Sequence, residues 1–276
     1  MRRTILLVFI ALGASGSCGA AGESVPFKLY RGYFIVAKCS VGNQENVTAI
    51  LDTGVSETVA DLRLVKRLSL PTWADSATFL TKDANVPGVS IPDIHIGPVK
   101  VEKLEGIAAD LSALAHEIGV RPDLLIGMDV LHRTSFVIDY HARVLTFGAH
   151  AAMPHGALLA PGSRFAVIDS TVLGRKLRLQ VDTGFSTLLL YGKRMDGLAD
   201  LKDTGTRVVG VGLESRVRTI ELPEVQVGDW RGSHVRVSVI DDAPREPAGF
   251  DGLLGPRVLG ARRVAFDFEN RMLFWD

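Results

Sequence analysis

The first candidates for chemistry in this 276-residue chain are two carboxylates in matching settings. Asp52-Thr53-Gly54 and Asp182-Thr183-Gly184 repeat one triplet 130 residues apart. If the fold brings Asp52 and Asp182 within a few ångströms, both cannot ionise easily and the pair shares one proton. Such a pair titrates as a unit. Its ionised member can take a proton from a water while the protonated member donates to a developing oxyanion. That suits hydrolysis of an amide by activated water, with no covalent intermediate, no metal and no cofactor. A single Asp-Thr-Gly would read as a turn. Two copies in register favour catalysis.

The repeat extends well beyond the triplets, and long internal repeats decide fold assignments. Pro92-Asp93-Ile94-His95-Ile96-Gly97 has its counterpart in Pro223-Glu224-Val225-Gln226-Val227-Gly228. Leu124-Leu125-Ile126-Gly127 matches Gly252-Leu253-Leu254-Gly255, and Phe136–Tyr140 matches Val264–Phe268. The anchors keep one order and nearly one offset, so the chain is a duplication. Residues 22–150 form the first lobe, 151–163 a Pro- and Gly-containing connection, and 164–276 the second lobe.

The elements that must hold the aspartates are strands. Tyr33–Val41 and Val47–Leu51 flank a Gly42-Asn43 turn and lead into Asp52. Phe165–Val172 and Leu177–Val181 repeat the plan before Asp182, around Gly174-Arg175. Both aspartates therefore fall on the loop after a strand, where a rigid scaffold presents reactive groups. Val59, Leu62 and Val65 at spacing three predict a helix within Ser56–Leu68. Short helices are expected at Met128–His132 and Pro256–Gly260, each followed by a hairpin. Strand-rich halves with little helix predict an all-β fold of two barrel-like lobes.

Taken together, the residues resemble the pepsin and retropepsin superfamily. In each half a strand ends in Asp-Thr-Gly, a small hydroxyl residue follows (Ser56, Ser186), and a hydrophobic-glycine motif lies downstream. The wording around Asp123–Leu131 and Val137–Tyr140 is most like the bacterial retropepsin-like aspartyl proteases. The resemblance covers nearly the whole chain after residue 21. It implies a pepsin-like fold with Asp52 and Asp182 as the catalytic pair, acting on a peptide or protein substrate. It also implies threonines Thr53 and Thr183 bonded across to the opposite lobe, with Gly54 and Gly184 allowing close approach of the two loops. Ser56 and Ser186 would support the loops locally. A flap is expected near Lys82–Ser90 in the first half, and Gly210 and Gly212 are flap candidates in the second. Pepsin-like enzymes commonly carry a hydroxyl residue three positions after each aspartate, where this chain has Val55 and Phe185. Their absence implies a pH optimum less acidic than that of pepsin-like enzymes. The alternative is a peptide-binding protein that keeps the cleft and does not cleave.

Other functions find little support. Net charge is zero, so nothing suggests a nucleic-acid partner. The seven histidines form no metal-binding motif, Gly210-Val211-Gly212 lacks the third glycine of a dinucleotide fingerprint, and no Gly-x-Ser-x-Gly elbow occurs. Apolar residues make up 47% of the chain, enough for a real core. Residues 1–21 have a basic start, an apolar run from Thr4 to Leu12 and small residues after it, the layout of a secretory signal peptide. Export to the periplasm or medium is expected, with cleavage after Ala20 or Ala21. Lipidation of Cys18 is the minor reading; otherwise Cys39 is left as a lone thiol. A chain holding both aspartates needs no second copy, so a monomer is expected.

Overall fold

The computed structural model describes residues 22–79, 82–151, 153–192, 206–210, 213–240 and 249–276. The described residues fold into 22 strands and three short α-helices, an all-β architecture in two lobes.

Each lobe starts from a hairpin whose turn follows from its residues. Phe34–Val41 pairs with Gln44–Leu51 across Gly42-Asn43, and Gly42 takes φ 54°. Val167–Val172 pairs with Arg175–Val181 across Leu173-Gly174, both with positive φ. This turn lies one residue earlier than the expected Gly174-Arg175. Positive φ at both central residues matches the right-handed twist of the flanking strands. Leu173 accepts that conformation although it is not glycine.

The duplication is visible in strand order. In the first lobe Gln44–Leu51 lies parallel to Leu124–Ile126, which pairs antiparallel with Val59–Asp61, which lies parallel to Leu104–Ala109. In the second lobe Arg175–Val181, Gly252–Leu254, Leu188–Tyr191 and Trp230–Ile240 repeat the same sequence of parallel, antiparallel and parallel pairings. The central strands are buried along their whole length, as strands covered on both faces must be.

Between the lobes lies a six-stranded antiparallel layer. Its order is Ser24–Tyr30, Val144–Phe147, Phe136–Asp139, Arg263–Asp267, Met272–Trp275 and His155–Leu158. The order is palindromic: two final hairpins meet at its centre, Val137 opposite Ala265. Aromatic packing holds that seam, with Phe136 stacked on Phe266 at 4.8 Å between ring centroids. Phe136, Phe147, Phe266 and Trp275 are fully buried. The expected connection 151–163 is thus partly structural, because His155–Leu158 supplies the outermost strand of this layer. Short apolar alternation hidden among glycine and alanine concealed it.

The expected helix at Ser56–Leu68 is only half helical. Val59–Asp61 is a buried strand and the helix is Leu62–Leu68. The earlier backbone is already engaged: Leu124–Leu125 flanks Val59–Asp61 on one side and Ile107–Ala109 on the other. Asp61 then caps the helix by accepting from the amide of Arg63, so the helix cannot start sooner. Leu64 and Val65 are the buried residues of the helix and Leu62 is exposed, so of the expected face Val65 meets the core and Leu62 does not. A further helix, Ser112–Ile118, was not anticipated; Leu111, Leu114 and Ile118 are its buried stripe.

A long hairpin stands after the post-aspartate strand in each lobe. In the first it is Thr72–Phe79 with Lys82–Ile91, which contains the expected flap region. In the second it is Thr206–Gly210 with Leu213–Val227, Gly210 pairing with Leu213 beside the tip. Gly212 lies outside the described residues, as do residues 1–21 with Cys18.

Candidate active site

The hydrophobic-glycine anchors explain how both aspartates are placed. The amide of Asp52 donates to the carbonyl of Ile126 at 2.9 Å, and that of Asp182 to Leu254 at 3.0 Å. Each aspartate therefore begins its loop beside the end of the neighbouring parallel strand that carries the anchor. The glycine after it lets the chain cross the loop. A Cβ on Gly127 would sit 2.9 Å from the Val55 carbonyl, and one on Gly255 would sit 2.3 Å from the Phe185 carbonyl. The crossing is then tied down by Met128 N–H to Val55 O in one lobe and Gly255 N–H to Thr187 O in the other, both 2.9 Å.

The two loops are bolted to one another by their threonines. The Thr53 amide donates to Thr183 Oγ1 and the Thr183 amide donates to Thr53 Oγ1, each at 3.0 Å. Thr53 Oγ1 donates to Val181 O at 2.8 Å, and Thr183 Oγ1 donates to Leu51 O at 3.1 Å. Both threonines are almost fully buried, so each bond replaces water that cannot reach the groups. The β-branched side chain holds the hydroxyl in one rotamer for this exchange. Beneath them, Phe136, Ile138 and Leu145 of the interlobe layer share a small void with both threonines. The seam between lobes therefore supports the loops directly.

This lock sets Asp52 against Asp182. A Cβ on Gly54 would lie 2.5 Å from the Asp182 carboxyl, and one on Gly184 would lie 2.5 Å from the Asp52 carboxyl. Each carboxyl thus occupies the space left by the other triplet's glycine. The two carboxyls are within hydrogen-bonding reach of one another. Gly54 N–H donates to Asp52 Oδ1 at 2.7 Å, and Gly184 N–H to Asp182 Oδ1 at 2.8 Å. Burial raises the pKa of both acids above the ordinary 3.8. For Asp182 the neighbouring Asp52 charge adds to burial and lifts it well above. Asp52 is partly open and Asp182 is 8% exposed, so the pair has one wet side. The geometry is that of two carboxyls forced to share a proton.

The departures from pepsin-like sequences have a packing explanation. Val55 packs against the first lobe's outer core, with Phe34, Ile50 and Leu125, and Phe185 packs against the corresponding core of the second. They anchor the loops from the outside. Ser56 acts through its main chain, its carbonyl accepting from the Asp129 amide at 3.2 Å. Ser186 lies beside Gly255, where a Cβ would touch its main-chain carbon.

Three further residues were not singled out from sequence. Thr58 and Asp129 brace the first loop: the Asp129 carboxylate accepts from the Thr58 amide and hydroxyl, both at 2.7 Å. Burial raises the Asp129 pKa, against these two bonds that lower it. Gln180 reaches from the second lobe and donates to the carbonyls of Thr53 at 3.2 Å and Gly54 at 2.9 Å. The sequence conceals it, because in Arg175–Val181 Gln180 falls on the polar phase with Lys176 and Arg178, where the first half has Ile50. Beside the first loop opens a groove of 540 Å³ lined by Glu57, Trp73, Asp75, Glu105, Gly106 and Asp129.

Comparison with known proteins agrees with this arrangement. A model of the family "Aspartyl protease" matches twice, over residues 37–130 and over residues 168–258. The two matches fall one in each lobe and each contains one Asp-Thr-Gly triplet. No curated protein matches the chain.

Proposed function

The chain belongs to the aspartyl protease family, and on that premise we propose that it is an endopeptidase whose water is activated between Asp52 and Asp182. Family membership implies a peptide or protein substrate. The observation that carries the finer reading is the reciprocal seating of the carboxyls, each against the glycine of the opposite triplet. The ionised member of the pair takes a proton from the bound water, which attacks the scissile carbonyl. The protonated member donates to the developing oxyanion, and a proton then passes to the leaving nitrogen. Fixed amides at Gly54 and Gly184 hold the carboxyls still, so little reorganisation is needed at the moment of reaction. The paired flap hairpins close over a bound peptide. The protein acts as a monomer, exported after loss of residues 1–21.

The test is incubation with an unfolded protein substrate, with the new termini read by mass spectrometry. Internal cleavage is expected for the wild type and loss of cleavage for Asp52→Asn and for Asp182→Asn. Equal cleavage in all three overturns the reading. Tight binding of intact peptide by a wild type that never cleaves identifies the non-catalytic binding protein instead.

A further inference from the structure

The two halves of the site are not equivalent, and one buried side chain makes the difference. Two residues before Asp182 stands Gln180, 1% exposed; two residues before Asp52 stands Ile50, fully buried. The Gln180 amide lies against two carbonyl oxygens, Thr53 O and Gly54 O. Carbonyls only accept, so the NH₂ end must face them and each of its hydrogens has a partner. Thr53 C=O and Gly54 N–H belong to one peptide group. The bonds therefore run in series, from Gln180 Nε2–H to Thr53 O, and from Gly54 N–H to Asp52 Oδ1. Hydrogen bonds in such a chain polarise one another and strengthen the last donor. Among the described residues, no side chain does the same for the peptide between Thr183 and Gly184.

A donor aimed at a carboxylate favours its charged form. The strengthened Gly54 amide therefore favours charge on Asp52, while Asp182 has, among the described residues, only its own Gly184 amide at 2.8 Å with nothing behind it.

We propose that Gln180 is a positioning residue that polarises the Gly54 amide and so places the negative charge of the pair on Asp52 and the shared proton on Asp182. The charge assignment gives the halves separate roles. Asp52 becomes the base toward water, and Asp182 becomes the acid toward the substrate carbonyl. The roles rest on the endopeptidase reading; the charge distribution does not. The other titratable groups around the pair are Tyr33, Tyr140, Glu57 and Asp129. Tyr33 and Tyr140 both feel Asp182, and burial lifts the Tyr33 phenol to about 12 and Tyr140 higher still. Glu57 faces Arg164 at 3.5 Å, and Asp129 is held by Thr58.

Two measurements test the assignment. In the first, Gln180→Met keeps the side chain's length and removes its donors. The acidic limb of the kcat/KM profile is expected to move up by about half a pH unit, the share of a charge-assisted bond that cooperativity supplies. KM and the thermal midpoint, measured in parallel, separate this from general loosening: a lower midpoint with an unmoved limb overturns the role of Gln180. The second uses carboxyl-¹³C-aspartate NMR of the full wild-type chain, with Asp52→Asn and Asp182→Asn identifying the two signals. Asp52 is expected to ionise first, and Asp182 ionising first overturns the proposal, whether or not Gln180→Met folds. An active protease with Asp182 ionised first fails this inference alone. A protein with Asp52 ionised first and no cleavage fails the functional reading alone.

Discussion

Replacing Thr53 with valine removes one hydroxyl from the lock between lobes while keeping the side chain's shape. Two buried groups lose their partner: the Thr183 amide, now 3.0 Å from Thr53 Oγ1, and the Val181 carbonyl, 2.8 Å from it. Neither is open to water, because Thr53, Thr183 and Val181 are all buried. An orphaned buried group costs about 1–3 kcal/mol, so the expected loss is about 2–6 kcal/mol. Against a total stability of about 5–15 kcal/mol this is large. Thr53→Ser keeps the hydroxyl and gives up one methyl group, for about 1 kcal/mol. Chemical denaturation of the three proteins, with activity measured below the transition, reads the effect. The denaturation slope should stay constant while the midpoint falls. Activity should fall about 100-fold in the valine variant, since freeing the loops misplaces a carboxyl by the order of an ångström. A valine variant within about 0.5 kcal/mol of wild type, an ordinary surface effect, and fully active would refute the claim that the threonines hold the site.

The raised pKa of Asp182 has a thermodynamic consequence. The folded chain keeps a proton that the unfolded chain has lost, so wild-type stability falls as pH rises from the ordinary carboxylate value of 3.8 through the raised folded value. Asp182→Asn has no such loss and should melt higher than wild type at neutral pH, the gain vanishing in acid; a gain that is the same at every pH contradicts the burial argument. Gly54→Ala would drive a methyl into the Asp182 carboxyl, 2.5 Å away. A side-chain end can yield where backbone cannot, so this variant should fold and lose about 100-fold in rate; wild-type kcat would show that the carboxyl position is not critical. With Val55 and Phe185 in place of hydroxyl donors, the pH optimum should lie above that of pepsin-like enzymes, and a pH–rate profile peaking at about pH 2 to 3, in the acidic range of the pepsin pair, counts against it. Intact-mass analysis of protein secreted from its native host should give a chain beginning at Ala21 or Gly22; a chain that retains Met1, or one beginning at a lipid-modified Cys18, contradicts that cleavage.

Much of the site could be read from the chain because it is local. The triplets, the strands before them and the glycine anchors are contiguous runs whose composition states their role. The doubled pattern by itself places one aspartate in each lobe. What escaped was non-local. Val59–Asp61 carries a helical spacing, but its neighbours Leu124–Leu125 and Ile107–Ala109 capture it as a strand. His155–Leu158 is too short and too rich in small residues to announce itself, and only Met272–Trp275 opposite it makes it a strand. The interlobe layer as a whole was expected as separate hairpins, because pairing of Phe136–Asp139 with Arg263–Asp267 is a contact between halves. Gln180 alternates with Leu179 and Val181 like the solvent-facing Arg178, and its meaning depends on carbonyls more than a hundred residues away.

The central claim is that one carboxyl from each lobe builds a single site within one chain. A peptide with a hydroxyl-bearing tetrahedral carbon in place of the scissile amide mimics the hydrated intermediate and should bind far more tightly than the parent peptide. Calorimetric titration of the wild type should give one such ligand per chain, at a stoichiometry independent of protein concentration. Both Asp52→Asn and Asp182→Asn should lose most of that affinity. Two ligands per chain, one ligand per pair of chains, or full affinity in either variant would contradict a site shared by Asp52 and Asp182.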